Sequence, residues 1–174
     1  MTQQTADDAY RFAQWTAEHW GVVRGFVLSL VQRPDVADDV TQETFRRALE
    51  SVEKYTESGQ ARSYLLKIAD RLVVDHARQK QREVTLKETK WQRLQDEHES
   101  HQPDQLASQK ESQQQLNKAL NLLSEEQRRV LLLRYYGEMK FSEIAEITQW
   151  PVNTVLSHCR RGLLAMRDTL HDSG

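Results

Sequence analysis

Asp38, Asp39, Gln42 and Glu43 recur at the i, i+3, i+4 spacing that puts side chains on one helical face, so they gather into an acidic-amide patch. Val40, Phe45, Ala48 and Leu49 supply apolar surface to the same segment, and Arg46 and Arg47 follow it. Nothing in this run is a nucleophile or a metal cage. A second group, Lys67, Arg71, Arg78, Lys80 and Arg82, recurs down one predicted helix, where several ammonium and guanidinium groups can meet a phosphate backbone with an affinity that falls as salt rises. A third, Thr154, Ser157, His158, Arg160 and Arg161, sits near the start of the last predicted helix. Arginine there can bond guanine edges, and Ser, Thr or His can reach bases or phosphates.

Other chemistry is poorly provided for. His98 and His101 lie close together in a polar stretch with no third ligand nearby in sequence, so no metal is expected. Cys159 is the only cysteine, which excludes an internal disulfide and a multi-cysteine zinc site. No Ser-His-Asp order, glycine-rich phosphate loop or paired-carboxylate context is present, so neither catalysis nor a cofactor is expected.

The chain has 174 residues, a formal net charge of -2 and 38% hydrophobic residues, which fits one or two small domains. No apolar run approaches the ~20 residues of a membrane span, and "MTQQTADDAY" lacks the basic start and apolar stretch of a signal peptide, so a cytoplasmic protein is expected. Charge is uneven: -4 over residues 1–59, +5 over 60–94, -4 over 95–111 and +1 over 112–174. The basic block suits phosphate, while the modest total points to a partner besides nucleic acid.

The pattern is all helix. Met1 to Tyr10 read as disordered. Val22, Val23, Phe26, Val27, Leu30 and Val31 form one stripe. Pro34 sits early in a second helix, with Val36, Val40, Thr44, Ala48 and Val52 inward. After the turn "YTESGQ", Ala61, Tyr64, Leu65, Ile68, Leu72 and His76 begin a third helix reaching towards Arg82. Residues 1–82 thus make one bundle. Residues 83–111 carry few apolar groups and Pro103, and read as a linker able to stretch to roughly 95 Å or to average about 30 Å between its ends as a flexible coil. Residues 112–174 make a second bundle. Ser124 and Gln127 form a capping-box pattern, Gly137 is expected as a left-handed cap, and "FSEIAEIT" is a short helix. Beyond the turn "QWP", the last helix is expected to bury Val152, Val155, Cys159, Leu163, Met166 and Leu170 and to present Thr154, Ser157, His158 and Arg161. Trp15, Trp20 and Trp150 read as packing anchors. Two short helices around a tight turn, the second carrying polar and basic groups, describe a helix-turn-helix.

The segments "DDVTQETF", "ARSYLLKIADRLVVDHARQKQR" and "LLSEEQRRVLLLRYYGEMKFSEIAEITQWPVNTVLSHCRRGLLAMR", in this order and spacing, together resemble the extracytoplasmic-function class of the sigma-70 family, bacterial RNA polymerase initiation factors. The resemblance implies that the first bundle, region 2, binds the clamp helices of the polymerase beta-prime subunit and opens the minus-ten element. It implies that the second, region 4, binds the minus-thirty-five element and the beta flap, and that an anti-sigma factor is a further partner. Asp38, Asp39, Gln42 and Glu43 would then lie against the beta-prime coiled coil with Phe45 packed behind them. Tyr55, Tyr64, Lys67, Arg71, Arg78, Lys80 and Arg82 would serve minus-ten DNA, the two tyrosines by stacking on unpaired bases. Thr154, Ser157, His158, Arg160 and Arg161 would serve minus-thirty-five DNA. The chain departs from the family at Ala61, where Phe is common, at Tyr64 (often Trp), at Arg71 (frequently Asn), at Gln149 (often Gly) and at Leu156 and His158, where basic residues are usual. The expected function is an alternative sigma factor, not itself an enzyme. Two alternatives stand beside it: a sigma mimic that sequesters an anti-sigma factor, and a simple helix-turn-helix repressor.

Overall fold

Every described element is a helix, and each starts or stops for a local reason. The computed structural model describes residues 3–51, 60–88 and 107–171. Helix α1 spans Gln3–Val31, so the segment before Tyr10, expected to be disordered, is helical from Gln3 on. Helix α2, Pro34–Glu50, opens with proline at its first turn, where no intrahelical N–H is lost, and buries Val36, Val40, Thr44 and Ala48 as the periodicity requires. Thr41 and Thr44 return their hydroxyls to Ala37 and Val40 carbonyls, which lets polar side chains sit fully buried. Helix α3, Ala61–Glu88, runs past Arg82 into the segment read as linker. Phe45 lies between the Phe12 edge at 6.2 Å and the stacked Trp20 ring at 5.4 Å, and Trp15 is 4% exposed, so the early tryptophans and Phe45 close the bundle of α1, α2 and α3.

Helix α4 spans Ala107–Asn121 and α5 spans Glu125–Leu131, continuing into a π-helical turn over Leu132–Tyr136. The Ser124–Gln127 capping box forms in both directions. Gly137 is not the left-handed cap: its φ is -88°, and the positive φ of 56° falls on Glu138. Gly137 is needed for close approach instead, since a Cβ there would stand 2.7 Å from the Leu133 carbonyl oxygen and 3.2 Å from Leu66 of α3. Helix α6, Phe141–Thr148, coincides with "FSEIAEIT"; the Glu143 carboxylate accepts the Lys140 N–H at 2.8 Å and so caps it.

Helix α7, Val152–His171, is rotated from the expected phase. Val155, Cys159 and Gly162 are buried and Met166 half-buried, whereas Val152, Leu163 and Leu170 are each more than 40% exposed. The difference follows from Gly162: its missing Cβ admits Leu131 of α5, a Cβ being only 2.9 Å from a Leu131 methyl, so α5 approaches along the glycine line rather than the leucine line. The turn between α6 and α7 is closed by Gln149 at φ 60°, a left-handed conformation that costs a residue with a Cβ about 1–2 kcal/mol. Gln149→Gly is therefore expected to raise unfolding free energy by roughly 0.5–1 kcal/mol, after the extra freedom glycine gives the unfolded chain. A urea titration with an unchanged m-value would check it.

The two bundles share one core. Tyr136, which follows α5, stands against Gly25 of α1 and under the Arg62 guanidinium of α3, and buried residues of both bundles form one contiguous apolar cluster. Nothing in the periodicity of either half announced this contact.

Candidate functional site

On α2 the acidic-amide patch is present but divided. Asp39 and Gln42 are exposed. Asp38 accepts a 2.6 Å bond from Arg24 of α1 and is only partly open. Glu43, 31% exposed at its side chain, takes bonds from Arg46 at 2.6 and 2.7 Å and from Arg47 at 2.7 Å. The hydrogen bonds from Arg46 and then Arg47 hold its carboxyl down at about 2, so it stays charged around neutral pH. The patch is thus a pair of free polar groups, Asp39 and Gln42, flanked by carboxylates already orientated by arginines. Phe45 is buried behind them, as its place in the sequence requires.

Along α3, a 100° step per residue puts Lys67, Arg71, Arg78 and Arg82 within roughly 60° of one another and Lys80 on the far side. Arg71, Arg78, Lys80 and Arg82 are exposed, while Lys67 is half-buried and lies 3.9 Å from Glu143 of α6. Tyr64 is packed rather than free: its ring sits 6.0 Å from Trp15 and its hydroxyl 2.6 Å from the Ser51 hydroxyl. Tyr55 lies outside the described residues, as do His98 and His101. Among the described residues no cluster of three metal-ligating side chains occurs, and no helix is long and apolar enough to cross a membrane.

In the last three helices, α6, the Gln149 turn and α7 form the helix-turn-helix. Ser157, Arg160 and Arg161 are exposed; the Arg161 Nε donates to the Ser157 carbonyl at 3.4 Å, a long bond easily exchanged for another acceptor. Thr154 and His158 are half-buried, and the His158 ring lies 5.2 Å from Trp150 with a shielded Nδ1 that has no hydrogen-bond partner. His158 thereby packs against Trp150 of the turn. Beside the polar face, Leu156, Leu163 and Leu170 form an exposed apolar line at seven-residue spacing.

The Sigma-70 region 2 family model matches residues 15–83, and the Sigma-70 region 4 model matches residues 113–166. RNA polymerase sigma factor SigV of Bacillus subtilis is 30% identical over 139 residues, which is 80% of this chain and 78% of that one. The chain belongs to the sigma-70 family, in its extracytoplasmic-function class. ECF RNA polymerase sigma factor SigW of Bacillus subtilis is 28% identical over 142 residues, covering 78% of this chain and 76% of that one. The fold agrees with a solved sigma factor, RpoE of Bartonella quintana in complex with the anti-sigma factor NepR, at a TM-score of 0.69 and 23% identity over 92% of this chain and 97% of that one. The all-helical, two-region reading therefore holds for this sigma factor. Four residues of the contact between its regions were not singled out from the sequence: Gly25, Asp70, Arg129 and Tyr136. A glycine inside an apolar helical stripe and an arginine pair heading a leucine run were the available signals, and neither says what it faces.

Proposed function

We propose that this chain is an alternative sigma factor that binds core RNA polymerase through α2 and directs initiation at promoters read by α3 and α7, under the control of an anti-sigma protein. The observation that carries the reading is the coexistence, on one chain of the sigma-70 family, of an exposed Asp39–Gln42 face and an exposed Ser157–Arg160–Arg161 face. A repressor has no use for the first, and a sigma mimic none for the second.

Residue roles follow from exposure. Asp39 and Gln42 meet the basic beta-prime clamp helices, with Asp38 and Glu43 adding charge at the edge. Arg71, Arg78 and Arg82 follow minus-ten DNA phosphates, joined by Lys67 once it is free of Glu143; Lys80, off their line, contributes least. Tyr64 supports the bundle, and Tyr55 keeps the stacking role assigned from the resemblance. Ser157 and Arg161 read base edges at the minus-thirty-five element, Arg160 holds phosphate, and Thr154 and His158 position the helix. The Leu156–Leu163–Leu170 line suits the beta flap, because an apolar helical seam is covered by another apolar surface. No cofactor enters the reading, and phosphodiester bond formation is left to the polymerase.

The test is reconstituted transcription with core polymerase, followed by mapping of transcript starts after overexpression. A shared upstream motif and strict dependence on both proteins are expected; binding of an anti-sigma protein without any transcript would replace the reading with the mimic. Within it, Arg161→Ala should cost about 1–3 kcal/mol of discrimination at one base pair if the guanidinium makes a bidentate guanine contact. Competition binding with a set of single-base promoter variants checks this, since an equal loss on all of them marks a phosphate contact.

A further inference from the structure

The contact between regions 2 and 4 is built, not incidental. Arg129 of α5 donates two parallel bonds, 2.7 and 2.6 Å, to both carboxylate oxygens of Asp70 on α3, in a pair whose side chains are 15% and 1% exposed. Around it, Ser63 donates to the Gly137 carbonyl at 3.1 Å, Arg62 meets Glu138 at 3.1 Å and lies over the Tyr136 ring, and Gln32 donates to the Asn121 side chain at 2.9 Å. Backbone is shaped to match. Gly25, in the middle of α1, leaves room for the Tyr136 hydroxyl, which would stand 2.7 Å from a Cβ.

This arrangement conflicts with the act of reading a promoter. The Arg129 guanidinium that holds Asp70 also lies 5.4 Å from the Trp150 ring, which is 5.2 Å from His158 in the second turn of the recognition helix α7. Laid end to end, these contacts keep the His158 ring within about 15 Å of the Asp70 carboxylate. The minus-ten and minus-thirty-five elements are set apart by about 25 base pairs, or roughly 85 Å of duplex. In addition, Lys67 of the basic stripe is engaged by Glu143 of α6. We propose that the free chain is latched shut by the Asp70–Arg129 pair, and that region 4 must leave α3 before both promoter elements can be held; this rests on the sigma-factor reading above. The 18 residues between the end of α3 at Glu88 and the start of α4 at Ala107, roughly 60–65 Å when extended, together with the span of the two regions themselves, permit the required separation.

Removing one partner of a covered ion pair leaves the other charge dry, and undocking region 4 is the direct way to rehydrate it. Two independent openings are therefore available: Asp70→Asn strips the charge pair, and Gly25→Leu drives a wedge against Tyr136 while favouring the α1 helix. In small-angle scattering of the free full-length protein, wild type should lie within a few ångström of the ~16 Å radius of gyration of a compact chain of this length. Both variants should rise towards about 22 Å with unchanged helicity by circular dichroism, and the exchange Asp70→Arg with Arg129→Asp should return most of the way. In reconstituted transcription with limiting sigma, the opened variants should reach half-maximal output at several-fold lower concentration, because a fraction of wild type is withheld in the shut form. An extended wild type, or compact variants of both kinds, overturns the latch; larger radii with unaltered transcription overturn its regulatory role. If radii shift as stated but no variant or wild type supports transcription, the latch stands and the sigma-factor reading falls.

Discussion

Asp39→Lys combined with Gln42→Lys is expected to weaken binding to core polymerase by about a hundredfold or more, since placing like charges at a complementary interface costs several kcal/mol. The substitution should leave the fold alone. Both side chains are exposed on α2, and surface changes away from caps and buried networks usually stay within about 0.5 kcal/mol. Glu43→Lys would give a less readable result, because it also releases Arg46 and Arg47 from the carboxylate that orientates them and puts three cations side by side. A surface binding titration against core polymerase, with thermal melting of each variant alongside, separates the two cases. Recruitment unchanged by the double substitution would move the polymerase contact off α2. Raising salt should weaken wild-type association as well, since exposed charges steer over distances comparable to the screening length.

The helices themselves were legible because their signals are local. Proline at the first turn of α2, the Ser124–Gln127 box and the apolar run of α6 each act within a few residues, so the sequence contains the whole cause. Tyr64, for which core and base-stacking roles were both open, is settled into the bundle only by its Trp15 and Ser51 neighbours. Phase was harder. A heptad of apolar positions along α7 admits two seams, and which one is buried was decided by Gly162, a residue that contributes no hydrophobicity of its own. The left-handed position after the π-helical turn likewise fell on Glu138 instead of Gly137, because Gly137 is committed to the approach of Leu66 from another helix. In each case the missing information is tertiary: a glycine chosen for what comes near it looks the same in sequence as one chosen for its dihedral angles.

The partners of the charges were hidden in the same way. The acidic patch counts four polar groups on one face, yet Arg24, fourteen positions away, claims Asp38, and two arginines one turn on claim Glu43. Opposite charges at i+3 and i+4 were visible in the sequence, and their consequence for the patch could have been drawn. The Arg24 contact could not, since it depends on how α1 crosses α2. Arg129 and Asp70 are separated by 59 positions and face each other only when the regions dock, which is why two bundles joined by a linker was as far as periodicity could go.

Arg128→Ala is expected to be the most destabilising single change in region 4, by about 3 kcal/mol or more. Arg128 is 9% exposed, and its guanidinium donates to the carbonyls of Leu120 at 2.9 Å, Asn121 at 3.1 Å, Leu123 at 3.3 Å and, across the lobes, Ser29 at 3.3 Å. Three of these acceptors are carbonyls at and just beyond the end of α4; that of Leu120 also takes the Leu123 N–H at 3.2 Å, while those of Asn121 and Leu123 lie past the last N–H of the helix, so one side chain does the work of a C-cap for the helix and ties it to α1. Burial pushes the Arg128 pKa down, but a guanidinium keeps its proton at any pH where the protein folds. Truncation leaves several carbonyls without a donor in a covered site. Arg128→Lys keeps the charge yet offers a point donor in place of a planar fork, and is expected to recover less than half of the loss. For a chain of this length the alanine variant should melt roughly 10 °C below wild type. If Arg128→Met, which keeps the stem and removes every donor, melts with wild type, the carbonyl bonds add nothing and α4 is held by packing alone.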